Sequence, residues 1–346
     1  MKNKVINAAT DRNVFWNTAK VYLTHQLPEI QKASPNTVAS YRNSLNTFID
    51  YLENEKKIPR SNISFQDFSR ENIKSYLDWM LNFKKYADKT CNLRITAIHS
   101  LLEYAGHEYS TEIMGIYLTA CTVKYLKVKN KAIEYFEPVQ MKALLAAPDT
   151  SSRAGRRNQM MLILYYDTGA RNSELLEATC DQLHLQAEVP YMTILGKGRK
   201  YRNVPLMNKT LEHLKRYLNE FHENMERDAP LFYAVTHGVK HRLSSDTVEK
   251  MIIKYSKSCK ESGTEMPEKP ICHMIRKTRA MDLYRSGMPL THIQQLLGHE
   301  NISTTSGFYA FATLDTLAKA MENANAGNSS GKKWADPETL KMLYRL

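Results

Sequence analysis

Among the five cysteines of this 346-residue chain, Cys91, Cys121, Cys180, Cys259 and Cys272, there is no C-x-x-C pair. The number is odd and only the last two lie close together, which argues against a disulfide framework and a zinc site. Reduced, mostly core thiols in a cytosolic protein are expected instead. No run reaches the ~18 apolar residues of a membrane span, and the N-terminus lacks the apolar core of a secretory signal. There is no P-loop, so ATP is not implied as a cofactor. His237-Gly238-Val239-Lys240-His241 has metal-like histidine spacing. Its glycine, however, breaks the helix that would align the two rings, and no acidic third ligand is near. No metal and no cofactor are expected. Acidic residues are also in deficit, 36 against 48 lysines and arginines, for a formal net charge of +12. The basic residues recur through most of the chain, which favours a folded basic surface and a polyanionic partner such as nucleic acid.

What is present divides the chain. From residue 12 to about 120 the pattern is helical. Its clearest start is Ser34-Pro35-Asn36-Thr37, a capping serine with a proline in the first turn, followed by Val38, Tyr41, Leu45, Phe48, Ile49 and Leu52 on one face. A second helix from Asp88 to Ala105 directs Leu93, Ile95, Ile98, Leu101 and Leu102 inward and leaves Lys89 and Arg94 to face out. Between Thr122 and Tyr135 lies a connector with few core positions and four lysines, Lys124, Lys127, Lys129 and Lys131. Such a strap can be merely solvated, or it can cross a DNA backbone and release counterions. Glu137-Pro138 opens a new helix. Residues 191–195 and 202–206 read as strands flanking a glycine-containing turn that holds Lys197 and Lys200. The expected organisation is 1–121 helical, 122–136 linker, 137–321 catalytic, and 322–346 a flexible tether with a short amphipathic C-terminal segment. No additional N-terminal arm-binding domain is expected, because few residues precede the first helices.

Three islands carry the chemistry: Thr168-Gly169-Ala170-Arg171-Asn172-Ser173-Glu174, His273-Met274-Ile275-Arg276, and Leu297-Gly298-His299, with Tyr309 ten residues beyond. Cleaving a phosphodiester with an oxygen nucleophile requires charge at two non-bridging oxygens, an in-line nucleophile and a proton for the leaving oxygen. Arg171 and Arg276 offer planar forks that match phosphate. Taken singly, each is as readily a surface or salt-bridged arginine, with Glu174 the partner for Arg171. His273 shares a helix side with Arg276 and can bind a phosphate oxygen or accept a proton. His299 follows a short helix, 291–297, that glycine terminates. Tyrosine is abundant, with 20 copies, so composition singles out none of them.

Together these islands resemble the tyrosine recombinase (integrase) family. Ser34, Asn36, Thr37 and Tyr41 fit the start of its core-binding domain, and Gly298-His299-Glu300-Asn301-Ile302-Ser303-Thr304-Thr305 fits the segment before its nucleophile. The resemblance implies a mainly α fold with a small β-hairpin or sheet: an N-terminal helical core-binding domain followed by a mixed α/β catalytic domain. It further implies Tyr309 as nucleophile, Lys197 as proton donor to the leaving 5′ oxygen with Lys200 the nearest substitute, and Glu174 as a supporting residue. Lys89, Arg94 and the linker lysines become DNA-binding candidates. The implied partners are double-stranded DNA recombination sites, accessory recombination proteins and a homotetramer on two sites joined by the C-terminal segment, in the cytoplasm near the nucleoid. In Xer-type resolvases the tyrosine usually follows the last histidine by nine residues, where this chain has Phe308, so a mobile-element integrase or transposase is favoured. A silent DNA-binding relative, a type IB topoisomerase and a Xer-type dimer resolvase remain open.

Overall fold

In the computed structural model, residues 7–109, 111–128, 134–196, 200–223 and 227–298 are described. The chain divides into two compact units, Met1–Lys131 and Ala132–Leu346.

The first unit is helical. Helix α1 (Arg12–Val21) is capped by the Asp11 carboxylate and runs on as a π-helical stretch, Tyr22–Ile30. Helix α2 (Pro35–Asn54) starts as the sequence predicts, with the Ser34 hydroxyl accepting from the Thr37 amide at 3.2 Å. Helices α3 (Arg70–Asn82), α4 (Asp88–Glu108) and α5 (Thr111–Ala120) complete it. Phe48, Phe68 and Tyr76 are fully buried at the centre, with Phe48 4.9 Å from each of the other two rings in edge-on contact.

Two expectations change here. Ile95, Ile98, Leu101 and Leu102 of α4 are buried, but Leu93 is 47% exposed. It lies two residues before Ile95, about 200° round the helix at ~100° per residue. Arg94 is half-buried: its guanidinium donates to the Thr47 hydroxyl and the Asn43 carbonyl of α2 and lies over the Tyr86 ring. Lys89 is exposed.

The connector also begins differently. Val123 is buried, Asn92 exchanges two hydrogen bonds with the Leu126 backbone, and the Tyr125 hydroxyl reaches Thr96 and His99 of α4. Apolar positions spaced three apart dock it as far as Leu126, while Lys124 and Lys127 remain exposed. Lys129 and Lys131 lie outside the described residues.

In the second unit, a capping pair between Glu137 and Gln140 opens α6 (Pro138–Ala146). Helix α7 (Arg153–Thr168) follows, then the short α8 (Asn172–Leu176). A three-stranded antiparallel sheet comes next, in the order β1 (Leu183–His184), β2 (Tyr191–Leu195), β3 (Tyr201–Pro205). Its first strand is too short for periodicity to reveal.

Met192 and Ile194 of β2 face the core opposite Val204 and Arg202 of β3. Helix α9 (Asn208–Phe221) leads to a second hairpin, β4 (Tyr233–Thr236) and β5 (Val239–Arg242). His237 and Gly238 form its two-residue turn, both with positive φ (50° and 77°). Helices α10 (Ser245–Glu261), α11 (Cys272–Arg285) and α12 (Leu290–Leu297) complete the unit. Tyr165 and Leu164 of α7 and Ile275 of α11 are almost completely buried in the core beneath the site. Among the described residues no helix is long and apolar enough to cross a membrane.

Candidate active site

Two helices end on left-handed glycines, and the carbonyls at their ends organise the site. Gly169 closes α7 at φ 59°, and a Cβ there would sit 2.6 Å from a methyl of Leu297. Gly298 closes α12 at φ 65°. Every helix leaves its last carbonyls without intrahelical donors, and its C-terminus carries partial negative charge. Here arginines satisfy them. The Gly169 and Leu297 carbonyls accept from the two terminal nitrogens of Arg276, each at 2.7 Å. The Gly298 carbonyl accepts from Arg171 at 3.0 Å and that of Leu296 from Arg202 Nε at 2.9 Å. Arg279 Nε donates to the Asp167 carbonyl at 3.1 Å.

Arg171 is the N-cap of α8, and its amide donates to Glu174 Oε2 at 2.8 Å. Its Nη1 donates to Glu174 Oε1 at 2.6 Å. Arg202 binds the same carboxylate with both terminal nitrogens, at 3.1 and 2.6 Å. Burial by itself would raise the pKa of Glu174, but the bonds and charge of Arg202, with the Arg171 bonds, outweigh it and hold the acid at about 2.

Arg276 on α11 is 3% exposed. Burial, then the charges of Arg171 and Arg202, push its pKa down to about 9 against the opposing pull of Glu174, so it stays cationic at neutral pH. His273, one turn earlier, is exposed at the rim. Partial desolvation of its ring, with the positive charges of Arg276, Lys277 and Arg171, lowers its pKa to about 4. The imidazole is therefore neutral at physiological pH and able to accept a proton.

The structure thus brings together Arg171, Glu174, His273 and Arg276. Lys197, His299 and Tyr309 lie outside the described residues. Lys200 lines a groove of about 700 Å³ together with Arg202, Asn203, His292 and Gln295. Sequence reasoning missed Arg202. The available signal was its position: it keeps the inward phase of β3 with Val204 and Leu206, where a charge demands an acid. Arg279 was missed as well. It supports Asp167, whose carboxylate accepts from the Met207 amide, and no spacing rule singles it out.

Comparison with known proteins decides the family. The model described as "Phage integrase family" matches residues 134–313, and that of the "Phage integrase, N-terminal SAM-like domain" matches 23–109. The chain belongs to the phage integrase family. As a tyrosine recombinase it is a DNA strand-cleaving and rejoining enzyme. It is 28% identical over 323 residues to the putative integrase/recombinase y4rC of Sinorhizobium fredii, covering 92% of this chain and 94% of that one. With the tyrosine recombinase XerD of Staphylococcus epidermidis it shares 30% identity over 281 residues, 80% of this chain and 88% of the relative. The tyrosine recombinase fold is also that of the Tn1549 transposon integrase, solved in complex with circular intermediate DNA. That likeness has a TM-score of 0.66 at 17% identity, over 88% of this chain and 98% of that one.

Proposed function

We propose that this protein is a site-specific recombinase of a mobile element that exchanges DNA strands through Tyr309. One observation carries the reading. Arg171 and Arg276 are held side by side on main-chain carbonyls with one carboxylate, Glu174, near them among the described residues, which leaves net positive charge for a phosphate. In the proposed step the Tyr309 oxygen attacks phosphorus as its proton passes to neutral His273. The bond to the 5′ oxygen breaks, and Lys197 protonates the leaving oxygen. A 3′-phosphotyrosyl link and a free 5′-hydroxyl result. The hydroxyl of a second DNA then reverses the step through a Holliday junction. One ester replaces another, so no nucleotide hydrolysis is needed to drive the exchange. His299 is assigned to the same phosphate, and Lys89, Lys124, Lys127, Lys129 and Lys131 to the DNA backbone, with the half-buried Arg94 beside them. The proposed domains keep the sequence-based division, with the 322–346 segment joining a homotetramer in the cytoplasm.

The ten-residue interval from His299 to Tyr309 favours the mobile-element reading, and the similarity to XerD-type relatives favours a dimer resolvase. Mixing the protein and its Tyr309→Phe variant with nicked duplexes tiled from DNA flanking the gene tests the chemistry on a denaturing gel. The expected result is a covalent adduct with the unchanged protein alone, at a site bordering the gene. Tight specific binding without any adduct would defeat the proposal in favour of a silent DNA-binding protein. An adduct confined to a chromosomal site unlinked to the gene would point to a resolvase.

A further inference from the structure

Glu174 looks at first like the counterion of Arg171, three residues before it, yet its stronger partner is Arg202. Arg202 engages both carboxylate oxygens, whereas the Arg171 guanidinium engages one. The Arg202 and Glu174 side chains are 9% and 4% exposed, while Arg171 is 32% exposed. The buried fork-to-fork pair is therefore Glu174 with Arg202, and Arg171 stands outside it. The seat for Arg202 is built from two glycines. A Cβ at Gly196 would meet Arg202 Nη1 at 3.2 Å, and one at Gly298 would meet the same nitrogen at 3.0 Å. Among the described residues, three guanidinium groups, Arg171, Arg202 and Arg276, share one acid, Glu174.

We propose that Arg202 is a positioning residue that keeps Arg171 available for phosphate by holding the Glu174 carboxylate. This rests on the reading of Arg171 and Arg276 as phosphate ligands. Without Arg202 the carboxylate turns wholly to Arg171 and neutralises it, and the cluster drops from two net positive charges to one. Arg202 Nε also donates to the Leu296 carbonyl, which ties β3 to the last turn of α12.

The test is a double-substitution cycle read by inorganic phosphate, with the His273 ring resonances as reporter. Arg202→Gln should weaken phosphate binding roughly tenfold, the scale of one charge-assisted hydrogen bond. Glu174→Gln added to it should restore most of that loss, because the acid that captures Arg171 is gone. A brace that only holds shape predicts the opposite, a double variant at least as weak as the single. Should Arg202→Gln fail to fold, the double variant, which buries no unpaired charge, is compared with Glu174→Gln alone. Affinities within about threefold support charge sharing, and a tenfold gap overturns it. If phosphate leaves the His273 ring unmoved in the unchanged protein, the phosphate site and this proposal fall together. The adduct assay separates the two readings otherwise: an adduct with a flat cycle rejects the role of Arg202 alone, and the expected cycle without an adduct rejects the recombinase chemistry alone.

Discussion

Glu174 and His273 titrate far from their usual ranges, and the two shifts act on stability in the same direction. Glu174 in the folded protein has a pKa of about 2, below the ~4.3 of a free glutamate. Its contribution is complete above that ordinary value and is lost as pH falls toward 2. His273, lowered to about 4, is protonated more readily in the unfolded chain, so folding also weakens as pH falls from ~6.5 to 4. Acid unfolding followed by circular dichroism should therefore show a limb between about 4.3 and 2 that Glu174→Gln removes. A limb unchanged by that substitution would contradict the assignment. Adduct formation under kcat/KM conditions, which report the free enzyme, should stay level as pH falls through ~6.5, since His273 remains neutral there. The pair Arg171 and Arg276 was legible as a motif, and so was the neighbourhood of His273. Arg202 was not, because its partner Glu174 lies 28 residues away and only the folded sheet brings the two together.

At the scale of elements, the helix termini matter more than the helices. The boundaries of α2 and α12 follow from Ser34 and Gly298, residues whose capping chemistry is local and therefore visible in sequence, and Gly169 closes α7 in the same way. Where only packing decides, sequence was a poorer guide. Leu93 points away from the core, Val123 and Leu126 dock a segment expected to be a linker with few core positions, and the β4–β5 hairpin rests on a turn in which His237 itself takes positive φ. Gly169 offers a test at this scale. Gly169→Ala places a methyl in the left-handed region and against Leu297, so the end of α7 must shift. A stability loss of about 1–3 kcal/mol is expected by chemical denaturation, and the adduct rate should fall further than stability alone explains, because the Gly169 carbonyl carries Arg276. An adduct rate that follows only the folded fraction would uncouple the two.

For the whole molecule, the net charge of +12 becomes a statement about salt. Each phosphate neutralised by a lysine contributes about 0.9 to the slope of log affinity against log salt. Lys124 and Lys127 are both exposed at the end of the first unit. Replacing both with glutamine should make that slope shallower by roughly two, with a similar loss on specific and random duplexes, as read by fluorescence anisotropy. An unchanged slope would remove both lysines from the DNA path. The division into two units was readable from composition and periodicity. The close approach of Gly196, Gly298 and Arg202 was not, since it joins positions nearly a hundred residues apart through contacts that no local pattern encodes.

The carbonyls of Gly169, Leu297 and Gly298 belong to the main chain, and every amino acid supplies that atom. The positions of Arg171 and Arg276 are therefore written in the course of the backbone. Neighbouring positions such as His292 and Gln295, which are exposed on α12, can exchange their side chains without moving those charges. The surface around the two guanidinium groups is thus separable from the backbone that holds them.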